Sequence, residues 1–171
     1  MPKLDKKPGS VERRIFSTNF RAARQYTGFT IQQVSEITKI SAPFVSMVES
    51  GNQNVTVLYM AELSYAVQVP LYVLLTPGFK PETFDNSTWD AYYELVRLAK
   101  PAVLEQKMLA EKARYYRKQA GLRQAQVDQL ADFRVGTTTD LERMTGNMSI
   151  DVIAPIAPVL GIPFFQLFKP N

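Results

Sequence analysis

Residues 24–51 read RQYTGFTIQQVSEITKISAPFVSMVESG, and their punctuation predicts two short helices joined by a tight turn. Gly28 ends the helix before them, because glycine takes a left-handed backbone without steric cost. Thr30 and Gln33 stand at capping-box spacing, each side chain placed to satisfy a free backbone donor of the other. The helix they open turns Val34 and Ile37 inward. Lys39, Ile40 and Ser41 make the turn. Ser41 caps the next helix, Pro43 sits in its first turn where no donor is missed, and Val45 and Val48 face the core as far as Gly51.

On the N-terminal side, a helix follows Ser10 to about Tyr26, with Ile15, Phe16, Phe20 and Ala23 on one face. Residues 1–10, rich in Lys, Pro and Gly, read as a flexible basic arm. On the C-terminal side Asn52 and Asn54 lie in a loop. Thr56 then caps a helix to Val67, and Pro70 opens a short last turn. Residues 77–88, PGFKPETFDNST, have the composition of a linker. Ser87 or Thr88 caps a helix carrying Trp89, Tyr92, Val96 and Ala99 at helical spacing, a stripe that reads as packing. Pro101 interrupts it, and a long helix runs from about residue 102 to 119.

The same unit then recurs. Residues 21–77 align without a gap on residues 114–170, at a constant offset of 93. Identical residues are the pairs Arg21/Arg114, Arg24/Arg117, Gly28/Gly121, Gln33/Gln126, Val34/Val127, Glu49/Glu142, Asn54/Asn147, Ala61/Ala154, Pro70/Pro163, Leu74/Leu167 and Pro77/Pro170. Chance would give roughly three or four such matches at average residue usage. The chain therefore divides into an arm at 1–10, a first unit at 11–77, a linker and connecting helix at 78–101, and a second, divergent unit at 102–171. Its class is all-α.

The first unit resembles the lambda-repressor-like, or Xre, family of helix-turn-helix DNA-binding domains. The resemblance rests on R-x-x-x-G-F-T-I-Q-Q-V-S from Arg24, I-S-A-P-F-V-S-M-V-E-S-G from Ile40 and V-P-L-Y-V-L-L from Val69. It covers residues 15–75 well and 108–168 more loosely. It implies two tandem five-helix domains and a sequence-specific, repressor-like regulator of transcription that binds double-stranded DNA, bacterial or phage-encoded. By the same resemblance the base-reading positions are Ala42, Pro43, Phe44, Ser46 and Met47, with Ser41 at the helix start. Gln32, Gln33, Lys39, Asn52 and Asn54 would contact phosphates, with Arg13 and Arg14 adding backbone contacts. Arg24 with Glu49, and Arg117 with Glu142, would form structural ion pairs.

The reading set holds no Arg, Lys, Asn or Gln, the side chains that bond two atoms of guanine or adenine at once. Modest base discrimination follows, leaning on phosphate contacts and DNA shape. In the second unit Gln124, Arg134, Thr137, Thr138, Thr139 and Arg143 could form another DNA face, although Asp128, Asp132 and Asp140 would repel phosphates there. Residues 42–47 and 135–140 share no position, so the second unit is expected to support dimerisation or a second contact. A homodimer on a pseudo-palindromic site and a pseudo-dimer within one chain both remain open. The alternative to DNA is a protein-interaction module, such as an antitoxin or a repressor adaptor, that docks Phe44 and Met47 into a partner's groove.

The totals fit a binding protein. The 171 residues include no cysteine and no histidine, which removes disulfides, thiolate metal sites and imidazole bases together. No cofactor, metal or catalysis is expected. Net charge is +4, with nine Lys/Arg against five Asp/Glu in residues 1–80 and eleven of each in residues 81–171. The excess thus sits in the first half, the footprint of a face for a polyanion. No apolar run approaches the roughly 18 residues that span a membrane, and no secretory signal opens the chain, so the cytoplasm is the expected location.

Overall fold

Apolar spacing along residues 15–23 builds the first helix of the computed structural model, which describes residues 10–170. The basic arm, apart from Ser10, lies outside them. Helix α1 (Ser10–Tyr26) buries Phe16, Phe20 and Ala23, and Gly28 follows it at φ +77°. Helix α2 (Ile31–Thr38) opens on the capping box: the Gln33 amide donates to Thr30 Oγ1 at 3.1 Å, and the Thr30 amide donates to Gln33 Oε1 at 2.8 Å. Lys39 turns the chain at φ 61°, and α3 (Ala42–Glu49) starts after Ser41 with Pro43 in its first turn. The Ser41 side chain makes no capping bond. Helix α4 (Val57–Ala66) and the short α5 (Leu71–Leu74) complete the first copy.

A 3₁₀ turn at Pro81–Thr83 leads to α6 (Asn86–Val96). This helix starts earlier than its Ser and Thr suggest, because Asp85 is the cap and accepts the Ser87 amide at 2.9 Å. Pro101 opens α7 (Pro101–Gln119), since proline at a first helical position lacks only a donor that would be unpaired anyway. The second copy continues with α8 (Gln124–Leu130), α9 (Thr137–Glu142), α10 (Ile150–Ile153), α11 (Ile156–Val159) and a 3₁₀ helix at Phe164–Phe168. Where the first copy has the single α4, the second has α10 and α11, divided at Pro155, which has no N–H to donate. The regular elements among the described residues are all helices, and none of them is long and apolar enough to cross a membrane.

Burial does not stop at the linker. Phe16, Phe20, Val45, Met60, Leu63 and Leu71 from the first copy share one hydrophobic core with Leu109, Val127, Ile150, Ile153, Ile156 and Phe168 from the second. Helix α4 lies on α7, α1 on α10, and α5 on the 3₁₀ helix Phe164–Phe168. Residues 11–77 and 102–170, separable as sequence units, thus bury their apolar faces against each other. The stripe on α6 packs within the chain: Tyr92 and Val96 meet Met108 of α7, and the Trp89 ring lies 5.6 Å from those of Tyr65 and Tyr92. Ile37 departs from expectation, being half exposed. Helix α2 has only eight residues, and its side toward α3 and α4 is filled by Val34 with Phe29 and Ile31 beside it.

Candidate nucleic-acid interface

Helix α3 is held from behind by an arginine fork. Arg24 of α1 binds both oxygens of Glu49 at the end of α3, with Nη2 donating to Oε2 at 3.0 Å, and its Nη1 donates to the Phe29 carbonyl at 2.6 Å. The hydrogen bond to Glu49 holds the Arg24 guanidinium above its ordinary pKa, against burial. One side chain thereby ties α1, the turn before α2 and the end of α3 together. With Val45 and Val48 fully buried, the opposite side of α3 is set. Pro43, Ser46, Met47 and Ser50 occur at i, i+3, i+4 and i+7, which is one helical face, and all four are exposed. Met47 keeps 44% of its surface. Phe44 and Ala42 are half-buried, and the Phe44 ring leans on Tyr59 of α4 at 5.0 Å, so it belongs partly to packing.

Around that face the other named residues divide. Ser41, Lys39, Gln32 and Asn52 are exposed; Gln32 donates to Glu36 at 3.2 Å and Asn52 to Ser50 Oγ at 3.0 Å. Gln33 gives its carbonyl to the capping box. Arg14 is exposed on α1. Asn54 and Arg13 turn elsewhere. Asn54 Nδ2 donates to Ser149 Oγ at 3.0 Å and its Oδ1 accepts the Asp151 amide at 3.3 Å, while Arg13 pairs with the Asp151 carboxylate at 3.2 Å. Both side chains are spent on the second copy. Their polarity suggested phosphate, but the nearest charged and polar partners come from within the chain.

Family models, curated proteins and solved structures give no match to this chain.

The second copy repeats the fork and alters the face. Arg117 donates to both Glu142 oxygens at 2.5 and 2.9 Å and to the Leu122 carbonyl at 2.9 Å. Arg114 adds a bond to the Glu142 carbonyl, and Gln124 donates to Glu142 Oε2 at 2.8 Å. Burial pushes the Glu142 carboxyl up, but the hydrogen bonds from Arg117 and Gln124 and the charges of Arg117 and Arg114 hold it below its ordinary value. Gln124 also accepts from Thr139 at 3.2 Å, so this half-buried amide points at its own scaffold and not at solvent.

Thr137 and Thr138 are buried as well, contrary to the expectation of a DNA-facing row. The Thr137 hydroxyl donates to the Arg134 carbonyl at 2.7 Å, and Asp128 of α8 holds Thr138. Its Oδ1 accepts from the Thr138 amide at 2.8 Å and the Thr138 hydroxyl at 2.6 Å, and its Oδ2 accepts from the Gly136 amide at 2.8 Å. Gly136, the residue before α9, has no side chain to cap with, so a carboxylate from the preceding helix does that work. Asp128 is itself buried, with both carboxylate oxygens taken by these donors. This cap was missed at the sequence level; the signal available was an acid on α8 ahead of a Gly-Thr-Thr helix start. Arg134 and Arg143 remain exposed, with Arg134 paired to Asp140 at 3.3 Å. Among the described residues no cluster of three or more acidic, histidine or cysteine side chains could hold a metal ion.

Proposed function

We propose that the chain is a double-stranded DNA-binding regulator of the helix-turn-helix kind, with α2 and α3 as the binding pair and the second copy as a divergent tandem unit. The observation that carries this reading is the exposed row of Pro43, Ser46, Met47 and Ser50 on a helix whose other side is locked by Val45, Val48 and the Arg24–Glu49 fork. A helix so held is the right width for a major groove, and its outer side chains meet base edges there. Met47 and Pro43 suit thymine methyls, and Ser46 supplies one polar contact. Lys39, Gln32 and Asn52 flank the row and would meet phosphates. With no side chain of the row itself able to bond two atoms of one base, much of the selectivity comes from groove shape and deformability. Regulation of transcription is assigned by analogy with the family that residues 24–51 resemble.

Electrophoretic retention of duplex DNA across a salt series is the test. Affinity should fall steeply and linearly in log–log form as salt rises, because bound phosphates release counterions. A salt-independent affinity, or none at low salt, would remove the DNA reading. The second reading, docking of α3 into a protein groove, is favoured by one observation. Leu58 and Tyr59 lie exposed on α4, and the Phe44 ring of α3 meets that of Tyr59 at a tilt, which extends the apolar character of α3. A salt-insensitive complex that Met47→Ala weakens would support it.

A further inference from the structure

The six bonds that join the loops after α3 and α9 come in three pairs. Val57 N donates to the Met148 carbonyl at 3.0 Å, and Ile150 N donates to the Val55 carbonyl at 2.8 Å. Asn54 Nδ2 donates to Ser149 Oγ at 3.0 Å, and Asn147 Nδ2 donates to Thr56 Oγ1 at 3.0 Å. Asp151 N donates to Asn54 Oδ1 at 3.3 Å, and Leu58 N donates to Asn147 Oδ1 at 3.2 Å. Shifting every residue by 93 positions, forward in one copy and back in the other, turns each bond into its mate. That reciprocity is the mark of an isologous contact, the kind two identical subunits make across a twofold axis. Asn54 and Asn147 are one of the identical pairs of the repeat, and Thr56 and Ser149 both supply a hydroxyl, so the side chains that make the clasp match in kind between the copies.

A second contact obeys the same exchange: α5 (Leu71–Leu74) packs on Phe164–Phe168, its own counterpart. The ten residues of α4, about 15 Å of helix, separate the clasp from this contact. Helices α3 and α9 each run through a short loop directly into the clasp. They therefore stand at the clasp end of the local axis, one on either side, and a twofold rotation preserves direction along its axis. Both present themselves toward the same end of the molecule.

We infer that one chain is its own dimer, and that a single chain grips one asymmetric duplex, with α3 against the bases of one half and the second copy against the backbone of the other. The inference rests on the DNA reading above. The surface that would pair two chains through this contact is already covered by the partner copy. The two ends are unequal: α3 exposes Pro43, Ser46 and Met47, while no residue within α9 is fully exposed, and Arg134, Val135, Arg143 and Met144 lie exposed only at its two ends. The row on α3 can meet base edges; Arg143 follows the C-terminal end of α9, off any reading row, and is assigned to phosphates.

Sedimentation equilibrium over a wide range of protein concentration, alone and with a duplex selected from a random pool by the full chain, tests this. The expected result is a single-chain mass throughout, one chain per duplex, and a selected site without a palindrome. Arg143→Ala should weaken every duplex alike and reduce the salt slope by about 1, whereas Met47→Ala should change which sites are selected. Two chains per duplex, or a palindromic consensus, would overturn the inference and leave the DNA reading standing. Retention of no duplex removes that reading, and the asymmetric site with it.

Discussion

Arg24 and Arg117 carry the same duty in the two copies, each closing a fork on a glutamate that ends a short helix. Arg24→Ala leaves the Glu49 charge without its partner and should cost about 3–5 kcal/mol in urea unfolding, whereas Arg117→Ala should cost less, because Arg114 and Gln124 still bond Glu142. Two buried glutamates give opposite pH behaviour. The Glu142 carboxyl lies below its ordinary value, so its contribution is complete above the normal carboxylate range and is lost as pH falls through the depressed pKa. Glu105 on α7 is raised by burial from 4.5 to about 8, although the hydroxyl of Tyr92 bonds its Oε1, and its buried Oε2 has no hydrogen-bond partner. The fold therefore favours the protonated acid. Stability from this group is full below pH 4.5, declines as pH rises toward about 8, and is flat beyond. Glu105→Gln should abolish the decline and raise the melting temperature at alkaline pH, which thermal unfolding followed at several pH values will read.

Pairs of helices differ in how their ends are satisfied, and that decides what substitutions do. The start of α2 is closed by its own Thr30 and Gln33, within three residues, and was legible in the sequence for that reason. The start of α9 is closed by Asp128 across an interval of ten residues, and no local spacing announced it. Asp128→Ala strands the Gly136 and Thr138 amides and should cost about 2–3 kcal/mol, with amide exchange accelerating first in α9. On α3 the reverse applies. Ser46→Ala and Met47→Ala alter an exposed row, so stability should stay within about 0.5 kcal/mol while DNA affinity falls. The apolar residues Val34, Val45 and Val48 were readable as inward because they follow helical periodicity beside a cap. Ile37 fits the same period and is exposed, since an eight-residue helix has one buried side and Val34 fills it.

Taken entire, the chain shares one core between units that look separable on paper. Fragments 1–77 and 102–171 should each lack a cooperative unfolding transition, since α4 would lose α7 and α10 would lose α1. Mixing them should restore one, as read by near-ultraviolet circular dichroism. Two fragments that melt cooperatively alone would show that the shared core is dispensable. Composition, the offset of 93, the helix caps and the apolar periods establish from the chain alone that it is helical and duplicated, and they locate α2, the turn and α3. Those signals act over a few residues, where hydrogen bonds and helical faces obey fixed spacing. Which polar side chains stay outside was settled otherwise. Asn54 and Arg13 are taken up by Ser149 and Asp151, and Asn147 by Thr56, through contacts that depend on how the two copies close on each other. Sequence spacing carries no record of such partners, because burial of both apolar faces brings them together only when the chain folds.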